Sequence, residues 1–183
     1  PSRRSFLKQL SLAGLSAPFV TRGLMGASPN GMLHHASFGA NGMAAADLQT
    51  IAQHPKVRLV AVADVDLNRT QMVKERFPDA RIYQDWRKLL EQEKELDSVN
   101  VSTPDHMHAP IAMSAMQLGK HAYVEKPLTH DIFEARQLTE YARANRRATQ
   151  MGIQIHSATE YRSAVGLIQD LAIGKVREVH TWS

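Results

Sequence analysis

Cysteine is absent from this chain of 183 residues. Its absence excludes disulfides, thiolate catalysis and metal sites built on cysteine sulfur. Hydrophobic residues make up 43% of the sequence and charged residues 22%, which is the composition of an ordinary soluble globular protein. The length suffices for one well-buried α/β domain and part of another. Stability must therefore come from a hydrophobic core.

Acidic residues are absent from the first thirty-two positions, where Arg3, Arg4, Lys8 and Arg22 carry positive charge. From Leu33 onward, 18 basic residues balance 18 acidic ones, so the formal net charge of +4 belongs to the N-terminal segment. The residues from Leu33 onward carry no net positive charge, so they lack the basic surface that binding to a phosphate backbone requires. The composition therefore argues against a nucleic-acid partner, despite the basic pI.

This N-terminal segment has the form of an export signal. The paired arginines, with Phe-Leu-Lys behind them, precede a short apolar stretch from Leu10 to Val20 and then small residues. Gly14 and Pro18 interrupt that stretch, so it is too short and broken to span a bilayer stably. We interpret residues 1–32 as a twin-arginine signal peptide and linker, which predicts export to the periplasm by the twin-arginine machinery. An amphipathic N-terminal helix is the alternative.

Short apolar strands alternate with helical segments from Leu33 onward, a pattern typical of a parallel α/β sheet. We predict a doubly wound Rossmann domain over residues 33–153. A truncated α/β C-terminal domain is predicted to begin at residues 154–183, with a helix and then a strand that lacks a partner. The predicted strands are Leu33–Phe38, Val57–Ala63, Arg81–Tyr83, Ser98–Ser102, His121–Val124, Ala148–Ile153 and Val176–Trp182. The predicted helices are Met43–Gln53, Leu67–Phe77, Trp86–Gln92, His108–Leu118, Asp131–Asn145 and Ser157–Leu171.

A glycine-containing turn follows the first predicted strand. Compared with the dinucleotide fingerprint G-x-G-x-x-G, Gly39 occupies the tight-turn position, whereas Asn41 and Ala44 replace the second and third glycines. Asparagine tolerates left-handed backbone well, and Gly42 adds freedom beside it. We therefore predict that Gly39, Asn41, Gly42 and Met43 bind a pyrophosphate at the start of the following helix.

Asp64 ends the second predicted strand, 25 residues after Gly39. A carboxylate at this position accepts hydrogen bonds from an adenosine ribose and repels a 2′-phosphate, so it favours NAD over NADP. Because Arg69 lies nearby in the sequence, NADP stays open as the alternative cofactor. The alternative is a surface acid that opens a turn, since Asp66 stands two residues away.

Two further polar clusters follow predicted strands, where open α/β sheets bind ligands. Thr103, Pro104 and His108 follow the fourth strand, and Glu125 and Lys126 follow the fifth. We predict that all five contact the cofactor. The His-x-His pair at 106 and 108 could indicate a metal, but no third ligand is near, and a helix N-terminus explains these polar residues equally well. No metal site is therefore predicted.

The segments Thr-Pro-Asp-x-x-His-Ala-Pro (103–110), Gly119-Lys120-His121 and Glu125-Lys126-Pro127-Leu128 together resemble the Gfo/Idh/MocA family of oxidoreductases, which includes glucose–fructose oxidoreductase and inositol dehydrogenase. The resemblance runs from Leu33 to the end of the chain. It implies that Lys126 is the catalytic residue and hydrogen-bonds a substrate hydroxyl beside the nicotinamide. It also implies a cis Lys126–Pro127 bond, and a second acid/base group, usually a His preceded by an acid, in a C-terminal domain.

The expected function is hydride transfer to or from a sugar or polyol carbon by an NAD(P)-dependent enzyme. Export adds a constraint, because little free nicotinamide is available outside the cytoplasm; we expect a tightly bound cofactor that is restored in each cycle. Two alternatives stay open: an NAD-dependent glycosidase, although the relatives of that kind carry another residue in place of Lys126, and a non-catalytic sugar-binding protein on the same scaffold. The chain begins at Pro1 and ends at Ser183 in a strand-like run, so we expect an N-terminal fragment that does not turn over alone. In full-length form the family often forms homo-oligomers.

Overall fold

The computed structural model describes residues 31–182, so the predicted export signal lies outside the described residues. The strands are β1 Leu33–Phe38, β2 Val57–Ala63, β3 Arg81–Tyr83, β4 Ser98–Val101, β5 His121–Glu125 and β6 Thr149–Gly152. The helices are α1 Met43–Ile51, α2 Gln71–Arg76, α3 Trp86–Gln92, α4 His108–Gln117, α5 Ile132–Ala144 and α6 Thr159–Gln169. Short 3₁₀ turns cover Leu67–Thr70, Asp105–Met107 and Gln154–Ser157.

The six strands form one sheet in the order β3-β2-β1-β4-β5-β6. Helices connect successive strands, as parallel pairing requires, and the result is the Rossmann-like α/β fold that the sequence predicts. By its internal contacts the chain divides into two compact units, one ending at Val99 and the other beginning at Asn100. Within residues 31–182, no helix is both long and apolar enough to cross a membrane.

The first unit is built around β2, whose continuous apolar run suits a strand covered on both faces. A buried cluster of Leu48, Leu59, Val62 and Val73 joins α1, β2 and α2. Strand β1 pairs with β2 in parallel, with a register shift between His35 and Ala36. This packing holds the carboxyl ends of β1 and β2 side by side.

An ion pair joins the buried Glu93 to the exposed Arg81 in this unit. Glu93 is only 6% exposed and accepts hydrogen bonds from the Arg81 guanidinium and, at 2.5 Å, from the Tyr83 hydroxyl. Burial alone would raise the pKa of Glu93, but the hydrogen bonds from Arg81 and Tyr83 and the charge of Arg81 outweigh burial and lower it. Burial and the same hydrogen bond raise the pKa of Tyr83. A cavity of about 440 Å³ adjoins this network.

The second unit packs α4 against β5 and α5. The buried face of α4 carries Ile111, Ala115 and Met116, which recur at helical spacing, and Val124 and Leu138 are buried on β5 and α5. Strands β5 and β6 pair in parallel, with Glu125 opposite Gly152. Helix α6 has no buried residue.

Two sequence predictions differ from the structure in the type of element, and other predicted bounds differ by one or two residues. The helix predicted over Leu67–Phe77 starts as a 3₁₀ turn, because the Asp66 carboxylate accepts the Asn68 N–H and tightens the first turn. The strand predicted over Val176–Trp182 is wrong: these residues form no strand in the described part of the chain. A strand needs a neighbour to receive its backbone hydrogen bonds, and apolar alternation alone cannot supply one.

Candidate functional site

In the first unit, the turn between β1 and α1 adopts a conformation that depends on glycine. Gly39 has φ 104° and Gly42 has φ 59°, both in the region that side-chain-bearing residues rarely adopt. The Gly39 N–H donates to the Ala63 carbonyl at 2.8 Å, which ties the turn to the end of β2. A Cβ placed on Gly42 would find no atom within 4 Å. The turn therefore presents bare backbone beside open space, as close approach to a phosphate requires.

The start of α1 is suited to an anion. Its first turn contains no acidic residue, so the positive end of the helix dipole is not neutralised locally. Asn41 and Met43 are exposed at this point, and the Asn41 side-chain oxygen accepts the Gly42 N–H at 2.7 Å. The four residues predicted to bind pyrophosphate thus lie together at one helix start, and their geometry fits that group.

Asp64 connects this turn to the end of β2. One carboxylate oxygen accepts the Ala40 N–H at 3.0 Å, and the other accepts the Asp66 N–H at 3.0 Å. Each oxygen retains a lone pair that can accept a hydroxyl. Because both contacts are to backbone, the negative charge of Asp64 is held beside the glycine turn, where it suits ribose hydroxyls and opposes a 2′-phosphate.

In the second unit, Thr103 and Pro104 follow the end of β4. The Thr103 hydroxyl is buried and has no hydrogen-bond partner among the residues that the structure describes. A buried hydroxyl without a partner costs free energy, so this group calls for a bound ligand or water. The cofactor contact at Thr103 stays a prediction.

His108, at the start of α4, is 1% exposed. Its Nδ1 lies 2.6 Å from the Pro127 carbonyl oxygen and its Nε2 lies 2.8 Å from the Thr103 carbonyl oxygen. Both ring nitrogens are thus engaged with backbone, whereas His106 is exposed. Across residues 31–182, no group of three His, Cys, Asp or Glu side chains could hold a metal ion.

Glu125 ends β5 and is 4% exposed. Its carboxylate accepts hydrogen bonds from the Tyr123 hydroxyl at 3.2 Å, the Gln154 amide at 2.5 Å and the Lys126 N–H at 3.3 Å. The next side chain, Lys126, is exposed and forms no ion pair with an acid of the described residues. The Lys126–Pro127 bond is cis. The buried, hydrogen-bonded Glu125 is thus followed directly by the exposed ammonium group of Lys126.

Sequence reasoning did not identify three residues around the Glu125 carboxylate: Tyr123, Gln154 and Gly152. A Cβ on Gly152 would overlap the Glu125 carboxylate and lie 2.8 Å from the Tyr123 hydroxyl, so glycine is required there by close approach. An isolated glycine in a strand is a known sign of such an approach. Nothing in the sequence pattern marks the other two.

These features define the class: a Rossmann-type α/β chain whose glycine turn and strand-end Asp suit a dinucleotide. Residues 33–153 match the sequence profile of the Gfo/Idh/MocA family, described as the oxidoreductase family with an NAD-binding Rossmann fold. The chain belongs to this family. The NAD-binding Rossmann fold and the family expected from the sequence are thereby confirmed.

Several known proteins are similar to this chain over most of its length. It is 27% identical over 178 residues to the alpha-N-acetylgalactosaminidase of Shewanella oneidensis, a match that covers 91% of this chain and 36% of that protein. Among solved structures, GenD2 from gentamicin A biosynthesis in complex with NAD is 28% identical, with a TM-score of 0.71 over 77% of this chain and 40% of GenD2. Myo-inositol 2-dehydrogenase from Lactobacillus plantarum, 22% identical, shares the fold with a TM-score of 0.72 over 79% of this chain and 43% of that enzyme.

Proposed function

We propose that this chain is the cofactor-binding part of a longer NAD-dependent oxidoreductase that acts on a sugar or polyol hydroxyl carbon. The observation that carries the proposal is the exposed Lys126 ammonium, which directly follows the buried and hydrogen-bonded Glu125 in a chain of an NAD-binding family. The chain spans about a third of the length of the glycosidase relative that it matches, so the activity of the whole protein is part of the proposal.

The first unit supplies nucleotide recognition. The turn at Gly39 to Met43 would hold the pyrophosphate through backbone N–H groups and the helix dipole, and Asp64 would accept the adenosine ribose hydroxyls. A second negative charge near Asp64 would be repelled, which favours NAD over NADP.

Replacing Asp64 tests this preference. In D64A we expect NAD affinity to fall by about 10- to 100-fold, because hydrogen bonds to a charged acceptor contribute about 1.5–3 kcal/mol. The affinity for NADP should fall less, because removing the carboxylate also removes a repulsion. Calorimetric titration of both nucleotides checks this, and D79A, an acid of the same unit outside the glycine turn, is the control. Equal losses for the two nucleotides would contradict the assignment.

The second unit supplies the reaction group. The bound nicotinamide would accept or donate the hydride. Lys126 would donate a hydrogen bond to the substrate oxygen and so orient and polarise the carbinol, while a second acid/base group, predicted to lie in the C-terminal domain, would transfer the hydroxyl proton. Thr103 would contribute its unpartnered hydroxyl to cofactor binding.

The Lys126 role is tested in the full-length protein with K126M. We expect kcat with the polyol to fall by about 10²- to 10⁴-fold, as for the loss of an acid/base or orienting group, and NAD affinity to fall much less. Retained turnover in K126M would contradict the catalytic role.

Export and cofactor retention are a further part of the proposal, supported by the twin-arginine pattern at Arg3 and Arg4. A protein exported in folded form with its cofactor must hold NAD(H) at nanomolar affinity, about −12 kcal/mol. Full-length protein purified without added nucleotide should release NAD(H) on acid treatment. An empty preparation would contradict tight retention.

A second candidate is an NAD-dependent glycosidase, which the similarity to the Shewanella oneidensis alpha-N-acetylgalactosaminidase favours. The two activities separate in one assay of the full-length protein. Release of nitrophenol from a nitrophenyl glycoside without net NAD reduction indicates the glycosidase, whereas net NADH formation with a polyol indicates the dehydrogenase. Binding of a sugar with neither reaction would indicate a non-catalytic protein.

A further inference from the structure

Gln154 begins the 3₁₀ turn that follows β6, and its side chain reaches back to β5. Its Nε2 donates to Oε1 of Glu125 at 2.5 Å and to the Tyr123 hydroxyl at 3.3 Å. A primary amide carries two N–H donors, so one side chain can make both contacts. Because Tyr123 donates to the same Glu125 oxygen, the three polar groups form a closed cluster at the ends of two neighbouring strands.

The two oxygens of the Glu125 carboxylate have different partners. Oε1 accepts from Tyr123 and Gln154, whereas Oε2 accepts the backbone N–H of Lys126 at 3.3 Å. The two oxygens belong to one rigid planar group, so fixing Oε1 also fixes the direction of Oε2. We propose that Gln154 is a positioning residue for Lys126: it holds the Glu125 carboxylate, and the carboxylate holds the Lys126 backbone.

Gln154 makes the closest of the contacts to this carboxylate. The Tyr123 hydroxyl and the Lys126 N–H lie 0.7 and 0.8 Å further from it than the Gln154 amide does. Glu125 is buried, so water does not replace a donor that is lost there. The carboxylate also fills the space above Gly152, where a Cβ would overlap it. Removal of the Gln154 amide therefore leaves the carboxylate with weaker restraints and frees the segment that follows it.

The functional consequence rests on the proposed function. Lys126 is proposed to orient a substrate hydroxyl beside the nicotinamide, and a shift of about 1 Å in such a group can cost about 10²-fold in rate. Gln154 lies two contacts away from the ammonium group, through Glu125 and the Lys126 backbone. It therefore acts on the reaction through Lys126 and not by contact with the substrate.

The first test measures the Lys126 backbone and needs no ligand. Hydrogen exchange of the full-length protein is followed by mass spectrometry with fragmentation that resolves single amides. In Q154A we expect the Lys126 amide to exchange about tenfold faster, as for the loss of one hydrogen bond to a charged acceptor, while the Val101 amide of β4 is unchanged. The control is Q150A, which removes a glutamine whose side chain donates only to the adjacent Met151 carbonyl.

Two results would overturn the proposal. One is an unchanged rate at the Lys126 amide in Q154A, and the other is an equal increase at all amides of the unit, which would show a general loss of stability. If Q154A fails to fold, Q154M keeps the length of the side chain without its donors and is measured in its place.

The second test asks whether the effect passes through Lys126. The full-length protein is assayed for NAD reduction with myo-inositol and with D-glucose as probes. We expect Q154A to lower kcat about tenfold and to change NAD affinity much less, and we expect no further loss when Q154A is added to K126M. An equal loss in the wild-type and K126M backgrounds would contradict positioning. If the wild type reduces NAD with neither compound, that failure falls on the proposed function, and the exchange result still decides whether Gln154 fixes the Lys126 backbone.

Discussion

Each of the two units buries a glutamate, and the two carboxylates are stabilised in different ways. Glu93, in the first unit, accepts from the Arg81 guanidinium and the Tyr83 hydroxyl, so a cation compensates its charge. Glu125, in the second unit, accepts from Tyr123, Gln154 and a backbone N–H, which are all neutral donors.

The difference lies in how each negative charge is compensated. The ion pair of Glu93 is complete within its own unit, because Arg81 neutralises the charge. In the described part of the chain, no lysine or arginine forms an ion pair with Glu125, so its negative charge remains next to the Lys126 segment and can act on a ligand or a nearby cation. Burial of a charge that is satisfied only by neutral donors costs free energy.

The largest expected effect comes from neutralising each carboxylate. E93Q places an amide N–H against the Arg81 and Tyr83 donors, and because water can still reach the exposed Arg81 we expect a loss of about 2–3 kcal/mol in the free energy of unfolding. E125Q retains one acceptor oxygen and removes a buried charge. We therefore expect a smaller loss in the free energy of unfolding, about 1 kcal/mol. Urea unfolding of the two matched variants measures both. Equal costs would abolish the distinction between the two sites.

The second effect concerns the space around Glu125. In G152A the new methyl group overlaps the carboxylate, which must move and lose hydrogen bonds from Tyr123 and Gln154. We expect a loss of about 2 kcal/mol, typical of overpacking. The control is G166A on α6, where a Cβ meets no atom within 4 Å and alanine should favour the helix by about 0.5–1 kcal/mol. A neutral result for G152A would show that Glu125 is not tightly held.

The smallest effect is on the acid dependence of stability. The pKa of Glu93 is lowered in the folded chain from an ordinary value of 4.5, so its contribution is fully present above pH 4.5 and is lost as the pH falls through the lowered folded value. In R81M the free energy of unfolding should fall less steeply as the pH falls. Urea midpoints between neutral pH and about pH 3 test it, with R87M, which removes an exposed arginine, as the control for charge. Parallel acid profiles for R81M and the wild type would contradict the role of the ion pair.

Local patterning predicts regular elements well where turn-forming residues bound them. Strands β1, β2 and β3 and helix α3 begin and end at the predicted residues. The strand predicted over Val176–Trp182 was wrong, since pairing depends on a neighbour that local sequence does not specify. Asp64 beside the glycine turn followed from strand order and spacing. The contacts of Glu125 with Tyr123 and Gln154 did not, because they join residues separated along the chain.

The sequence by itself determined the Rossmann class, the family and the positions of the glycine turn, Asp64 and Lys126, because strand period, turn chemistry and short motifs are local properties. Only the tertiary structure decided what His108 and Glu125 contact. Their partners are carbonyls, an amide and a hydroxyl that folding brings together, and backbone groups leave no signature in the sequence. The physical reason is that a buried polar group is defined by its hydrogen bonds, and those depend on distance in space, not on distance along the chain.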